Sequence, residues 1–322
     1  MGRYRGIAPV VLATLAMLSA VVAPASAGER QKLPVDYTVA GALLAQGADA
    51  GGDPPGADVA GCEPSRRHPQ PVVLVHGLLA NQTVNWNAMA PMLANRGYCV
   101  YSFTYGEKDG ISTPFYEPGG LRRMQASAAQ LDRFIDRVRE RSGSAKVDIL
   151  GHSEGSLMPN YWIKYGGGAG EVDDYVGLTT LWSGTNAAGL NSLNDLAASF
   201  GLSGAIISAV EQGCESCPQF LASSNFIAKL NRGGIKAPGV NYTNIATKYD
   251  ELVVPYTSGL MREGPRARNF VLQGECPQDG AEHLAVAFDP NAARLVRNAL
   301  DPERAVALGP ENCRVVTPLG AP

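Results

Sequence analysis

The chain alternates short apolar runs with longer segments in which apolar residues recur every three or four positions. Continuous β-branched runs are typical of strands buried on both faces of a parallel sheet, and the longer spacing is typical of amphipathic helices. Strands are predicted at 71–75, 98–105, 147–150, 175–182, 240–247 and 269–273. Helices are predicted at 83–95, 121–141, 157–165 and 292–300. This alternation predicts an α/β fold with a mainly parallel central sheet and helices on both faces.

A segment typical of export precedes these elements. Arg3 and Arg5 come before an apolar stretch at 10–22, which ends at Ala25-Ser26-Ala27. This order is typical of a signal peptide, residues 1–27, with cleavage after Ala27. The apolar stretch is short and poorly flanked for a membrane anchor, although an uncleaved anchor is the alternative interpretation. We therefore expect a secreted protein.

The mature chain would hold about 295 residues, which is within reach of one large α/β core. Residues 28–70 are rich in Ala, Gly, Pro and Asp and predict an irregular N-terminal arm. A single domain is expected at 71–322.

Removal of the signal peptide leaves 25 basic and 30 acidic side chains, a formal charge of −5. Without basic runs, this balance argues against nucleic acid as a partner and favours a neutral or hydrophobic substrate.

Six cysteines remain after export, and an even count in an exported chain predicts three disulfides. Fifteen pairings are conceivable for six cysteines. Cys214 and Cys217 form a CxxC pair that redox and zinc sites also use. Because no second CxxC and no nearby histidine accompany it, a local disulfide is favoured. The preferred pairs are Cys62–Cys99, Cys214–Cys217 and Cys276–Cys313.

The pentapeptide Gly151-His152-Ser153-Glu154-Gly155 fits the Gly-x-Ser-x-Gly nucleophile elbow. It follows a predicted strand and precedes a predicted helix, which is the context that this motif requires. A serine hydroxyl is a weak nucleophile at neutral pH, so a histidine must take its proton. In α/β-hydrolases the chain order is Ser, acid, His. Only His283 fits this order, because His68 and His76 precede the elbow and His152, next to the serine, cannot fold back onto it.

The acid partner is expected between residues 153 and 283. Asp250 is best placed, because it directly follows the predicted strand at 240–247 and strand ends hold such acids. Glu251 is the alternative and should point elsewhere. Other carboxylates in the interval are interpreted as solvated turn or cap residues: Asp173, Asp174, Asp195 and Asp279.

Backbone N–H groups must face the negative charge that develops on the substrate oxygen. One expected donor is the amide of Glu154, directly after the nucleophile. The second is the amide of Leu78, in the loop that follows the first core strand at His76-Gly77.

With these pieces the chain resembles secreted bacterial lipases of lipase class 2 and, more distantly, fungal lipase B. The matching segments are 71–77, 97–100, 151–155 and 249–256. The resemblance implies an α/β-hydrolase fold for 71–322, supports Asp250 over Glu251 as the acid, and agrees with a three-disulfide pattern. Two positions depart from it: Glu154 stands where many relatives have glutamine, and Trp182-Ser183-Gly184-Thr185 stands where relatives often have a His-Gly-Thr turn.

An insertion at 184–232 is predicted to form a small cap or lid. Its segment 190–210 is unusually apolar, which suits either a moving lid that meets lipid or a cap helix packed on the core.

The function expected from sequence is hydrolysis of carboxylic esters, mainly triacylglycerols, through an acyl-enzyme. No cofactor or metal is expected, and the protein is expected to be a monomer that contacts lipid interfaces transiently. The alternatives are an exported acyltransferase, a thioesterase or peptidase, and a non-catalytic lipid-binding protein.

Overall fold

The computed structural model describes residues 1–2, 31–186, 189, 192, 213–318 and 320–321. The chain divides into two compact units, Met1–Lys32 and Leu33–Pro322. The predicted signal peptide, after Met1 and Gly2, lies outside the described residues. The apolar segment at 190–210 also lies outside them, apart from Ser192.

Six parallel strands form the central sheet of the second unit, in the order β2-β1-β3-β4-β5-β6. They are β1 (Val72–Val75), β2 (Val100–Ser102), β3 (Val147–His152), β4 (Val172–Leu178), β5 (Asn241–Ala246) and β6 (Ala267–Val271). β1 and β3 are buried along their whole length. Because all the strands are parallel, their carboxyl ends meet at one edge of the sheet, where α/β proteins place their reactive groups.

Helices cover the sheet on both faces. They are α1 (Val39–Ala48), α2 (Gln82–Trp86), α3 (Met89–Ala94), α4 (Met124–Ser142), α5 (Glu154–Tyr165), α6 (Asn225–Leu230), α7 (Leu272–Glu275) and α8 (Pro290–Leu300). Val73 and Val75 pack in one core with α4, α5 and α6. Val72 and Leu74 pack in a second core with α3 and α8. Successive residues of β1 therefore point to opposite helical layers, as the two-residue repeat of a strand requires.

Four differences separate the observed elements from the predicted ones. The helix predicted at 83–95 is two short helices, α2 and α3, separated at Asn87–Ala88. Of the strand predicted at 98–105, only Val100–Ser102 (β2) forms a strand. The strand predicted at 175–182 begins and ends earlier, at Val172–Leu178 (β4). The predicted irregular arm contains α1, which Thr38 caps by accepting a hydrogen bond from the Gly41 N–H at 3.0 Å.

Three disulfides join the pairs that the sequence analysis preferred: Cys62–Cys99, Cys214–Cys217 and Cys276–Cys313. Such bonds persist in oxidising compartments, so they indicate an extracellular protein. Within the described ranges, we find no helix with the length and hydrophobicity needed to span a bilayer.

Candidate active site

Ser153 lies at the tip of the turn between β3 and α5, at the carboxyl end of the sheet. Its backbone has φ 54° and ψ −121°, a conformation that is costly for a residue with a side chain. The two glycines of the motif make the turn feasible. A Cβ atom at Gly151 would lie 2.2 Å from the Gly155 carbonyl oxygen, and one at Gly155 would lie 2.0 Å from the Val75 carbonyl oxygen. The sequence therefore needs glycine at both positions to present Ser153 on a sharp turn.

His283 and Asp250 form a buried hydrogen-bonded pair. The His283 Nδ1–H donates to Asp250 Oδ1 at 2.8 Å, and the two side chains are 5% and 2% exposed. A carboxylate only accepts, so Nδ1 carries the proton and Nε2 is free to take another. Asp250 Oδ1 also accepts the N–H groups of Leu252 and Val253, at 3.1 and 2.7 Å, which fixes the carboxylate.

The electrostatics around His283 favour its protonated form. Burial lowers the pKa of the imidazole, but the charge and the hydrogen bond of Asp250, together with the charge of Glu251, outweigh burial and raise it above its ordinary value. The ring is therefore a stronger base than a free histidine side chain. This property suits a group that takes a proton from a hydroxyl.

Ser153 and His283 line the same cavity, which has a volume of about 110 Å³. Its walls are mainly apolar and include Leu78, Leu181, Phe220, Leu252, Val253 and Leu284. No hydrogen bond joins the Ser153 hydroxyl to the imidazole within the part of the chain that the structure describes. That bond is often long before substrate binds and shortens in the reacting complex. A hydrophobic group attached to a reacting carbonyl suits this cavity.

The two backbone amides expected to hold an oxyanion lie beside this serine. Leu78 lines the cavity. Glu154 is the first residue of α5, so its N–H has no partner within the helix. Neither N–H donates to another described residue. Leu79 has φ 61°, an uncommon value for a leucine, and its N–H donates to the Gly119 carbonyl at 2.9 Å. The Leu79 amide is therefore paired within the loop, whereas the Leu78 amide has no partner among the described residues.

His76 holds the loop that carries Leu78. Its Nε2 accepts the Tyr105 N–H at 3.2 Å, so the proton lies on Nδ1, which donates to the Gly77 carbonyl at 2.8 Å. Burial lowers the pKa of this ring to about 4, which keeps it neutral and preserves this tautomer. The His-Gly pair noted in the sequence therefore orients the peptide bond that joins Gly77 to Leu78.

Asn85 and His152 also contact this region, although no sequence pattern predicts a role for either. Asn85 Oδ1 accepts the Gly77 N–H at 3.0 Å and lies 3.0 Å from His152 Nδ1. The other ring nitrogen of His152 lies 3.1 Å from the backbone carbonyl of His283. These two side chains therefore join α2 and the end of β3 to the loops that carry Gly77 and His283. No local sequence pattern signals such contacts, because the residues are far apart in the chain.

The Glu154 side chain points away from water, although its backbone begins the helix next to Ser153. The residue is fully buried, and neither carboxyl oxygen has a partner among the described residues. The nearby Ser216 hydroxyl donates to the Gly120 carbonyl instead, at 2.6 Å. Burial raises the pKa of the Glu154 carboxyl well above its ordinary value, which favours the neutral form of the side chain.

Three of the remaining carboxylates differ from the solvated turn or cap residues that were expected, Asp279 by its burial and Asp173 and Asp174 by their place in a strand. Asp279 is 1% exposed and accepts the Ala281 N–H at 2.9 Å. Asp173 and Asp174 lie within β4, and their oxygens are within 4.8 Å of those of Asp148, at the amino end of the sheet. Asp195 lies outside the described residues. The burial of Asp279 could not be predicted, because a polar residue in an irregular segment looks the same in sequence whether it is solvated or buried. Asp173 and Asp174 are partly exposed and belong to β4, which begins three residues before the predicted strand.

Glu251 does not contact the imidazole ring, which agrees with its expected orientation. Its Oε2 accepts the backbone N–H of His283 at 3.2 Å. The neighbouring carboxylates of one turn therefore hold the same histidine, one at the ring and one at the backbone.

Residues 69–295 match the family described as lipase (class 2). The chain belongs to this family. Membership places it among lipase-type hydrolases and confirms the resemblance that the motifs indicated. The matched range includes the candidate nucleophile, acid and histidine.

Two solved structures of lipases share the fold. Lipase B of Aspergillus fumigatus is 19% identical, with a TM-score of 0.58, and the match covers 83% of this chain and 61% of the fungal chain. The mature form of a Bacillus licheniformis lipase is 16% identical, with a TM-score of 0.50, and the match covers 79% of this chain and 100% of the bacterial one. The predicted α/β-hydrolase fold is thereby confirmed.

Proposed function

We propose that this chain is an exported carboxylic ester hydrolase that acts on lipid esters, mainly triacylglycerols. Ser153 attacks the ester carbonyl, His283 accepts the serine proton and passes it to the leaving alcohol, and Asp250 stabilises the imidazolium. The observation that carries the proposal is the 2.8 Å hydrogen bond between His283 and Asp250, beside the apolar cavity that Ser153 also lines.

The oxyanion of each tetrahedral intermediate would accept hydrogen bonds from the unpaired amides of Leu78 and Glu154. The acyl-enzyme on Ser153 would then be attacked by water, with His283 acting as base, and the carboxylic acid would leave. The mainly apolar wall of the cavity supports an acyl chain over a charged substrate. Every step uses groups of the chain together with water.

The test is a panel of p-nitrophenyl and glyceryl esters of increasing acyl length, hydrolysed by the wild type and by Ser153→Ala. We expect turnover by the wild type on apolar acyl chains and a loss of at least about 10⁴-fold in the variant. Retained turnover in Ser153→Ala would exclude Ser153 as the nucleophile. Adding a competing alcohol separates hydrolysis from acyl transfer, because a transferase would yield mainly the new ester.

Export is part of the proposal and is supported by the three disulfides. N-terminal sequencing of the protein recovered from culture medium should begin at Gly28. An N-terminus at Met1 on protein retained by the cells would contradict cleavage after Ala27.

A further inference from the structure

The backbone of His283 makes a contact that the proposed relay of protons does not use. Its N–H donates to Glu251 Oε2 at 3.2 Å, while the ring Nδ1–H donates to Asp250 Oδ1 at 2.8 Å. A histidine held only by its ring could still shift with its loop. Holding the backbone amide as well fixes the position from which the side chain extends.

We propose that Glu251 is a positioning residue that holds the backbone of His283 so that the imidazole meets Ser153. This inference rests on the proposed hydrolase function and deepens it. Glu251 does not line the cavity within the described residues, so it acts through His283 and not on the substrate.

Hydrogen bonds and burial hold the turn that carries Glu251. Asp250 Oδ1 accepts the N–H groups of Leu252 and Val253, and Val253 is 2% exposed in the core. The direction of the Glu251 side chain is therefore set by a fixed turn. Its second oxygen, Oε1, is buried and has no partner among the described residues. Burying a carboxylate oxygen without a partner costs stability, and the hydrogen bond that this carboxylate accepts among the described residues comes from the backbone of His283.

The charge of Glu251 has a second effect, on the protonation of His283. The groups that face this histidine are Asp250 and Glu251 on the turn after β5, the adjacent Glu282, and His152 at the end of β3, whose ring centroid is 5.2 Å away. Burial lowers the pKa of His283, and the charges of Asp250 and Glu251 raise it. Because the histidine must be neutral to accept a proton, loss of the Glu251 charge should extend activity to lower pH.

Three substitutions separate the contact from the charge. Glu251→Gln keeps an acceptor oxygen and removes the charge. Glu251→Asp keeps the charge and withdraws it by one methylene from the amide. Glu251→Ala removes both. Glu282→Gln is the matched control, because it removes the neighbouring carboxylate, which holds no backbone amide of His283.

The experiment measures kcat and KM on a soluble ester from pH 4 to pH 9, with melting temperature and disulfide content as checks of folding. Glu251→Asp and Glu251→Ala should lower the plateau kcat by about tenfold or more, with KM changed less than about twofold, because misplacement of a reacting group reduces turnover. Glu251→Gln should retain most of the plateau kcat that Glu251→Ala loses. The acidic limb of kcat/KM should move to lower pH in Glu251→Gln and Glu251→Ala and stay in place in Glu251→Asp.

The proposal is overturned if folded Glu251→Asp or Glu251→Ala keeps the plateau kcat of the wild type, or if Glu282→Gln lowers kcat as much as they do. If Glu251→Ala does not fold, Glu251→Asp and Glu251→Gln decide the question alone. Failure of the hydrolase function itself has a different signature, because the wild type would then show no ester turnover or Ser153→Ala would retain it.

Discussion

Two buried aspartates stand at opposite ends of the same sheet. Asp250, at the carboxyl end, has a side chain 2% exposed and pairs with His283. Asp148, at the amino end of β3, is 4% exposed and lies beside Asp173 and Asp174. Burial and those two carboxylates raise the pKa of Asp148 well above its ordinary value. Burial alone therefore does not distinguish a reactive carboxylate, whereas an imidazole partner beside a cavity does.

The two ends also differ in how their other polar groups are satisfied. At the amino end, Lys146 donates to Asp173 at 2.9 Å and Asn241 donates to Asp174 at 3.1 Å. At the carboxyl end, the N–H groups of Leu78 and Glu154 have no partner among the described residues. Unpaired donors beside a strained serine are what an incoming oxyanion needs.

The largest expected effect comes from exchanging each of the two aspartates, Asp250 and Asp148, for asparagine. Asp250→Asn should lower kcat about 10⁴-fold, because an amide can donate to Nδ1 and so favours the wrong tautomer of His283. Asp148→Asn should change kcat less than about threefold, because it alters only the far end of the sheet. Steady-state kinetics on a soluble ester measures the kcat of both variants. An equal loss of kcat in the two variants would contradict the functional difference between the two ends of the sheet.

Two glycines on either side of β3 provide the next test. Gly155→Ala should lower kcat/KM by about 10²-fold, because the new Cβ meets the Val75 carbonyl oxygen at 2.0 Å and displaces the elbow. Gly143, at the end of α4, has φ 69° and open space where a Cβ atom would lie. Gly143→Ala should cost about 1 kcal/mol of unfolding free energy through its φ and leave kcat unchanged. Urea unfolding and initial rates separate the two outcomes, and full activity in Gly155→Ala would contradict the elbow geometry.

The buried carboxyl of Glu154 predicts a pH dependence of stability. Since folding raises its pKa above the ordinary 4.5, its contribution is full below that pH and is lost as pH rises toward the folded pKa. The wild type should lose up to about 1.4 kcal/mol per pH unit relative to Glu154→Gln across this window. Urea unfolding at pH 5, 7 and 9 measures the difference, and parallel curves for the two proteins would show that Glu154 is charged in the folded state.

The smallest effect is expected from the ion pair at the amino end. Lys146 and Asp173 are 37% and 36% exposed, so water screens their attraction. Lys146→Met should cost less than about 1 kcal/mol of unfolding free energy and leave kcat unchanged. A larger stability loss would mean that water does not screen this ion pair, and any loss of turnover would mean that the two ends of the sheet are coupled.

The core of the site could be predicted because its signals are local or follow from chain order. Gly151 and Gly155 mark the elbow, and His283 is the one histidine after Ser153. The contacts of Asn85 and Glu251 with distant backbone groups could not be predicted, because an acceptor for a distant amide leaves no pattern in the sequence. The break between α2 and α3 was missed for a related reason, since the apolar spacing continues through it.

The central claim is that Ser153, His283 and Asp250 act as one unit. Its most direct test is the rate of labelling by a fluorophosphonate, followed by peptide mapping by mass, in the wild type, His283→Ala and Asp250→Asn. The account predicts a single adduct on Ser153, formed quickly in the wild type and far more slowly in both variants. An adduct on another residue, or a rate at Ser153 that neither substitution changes, would contradict it.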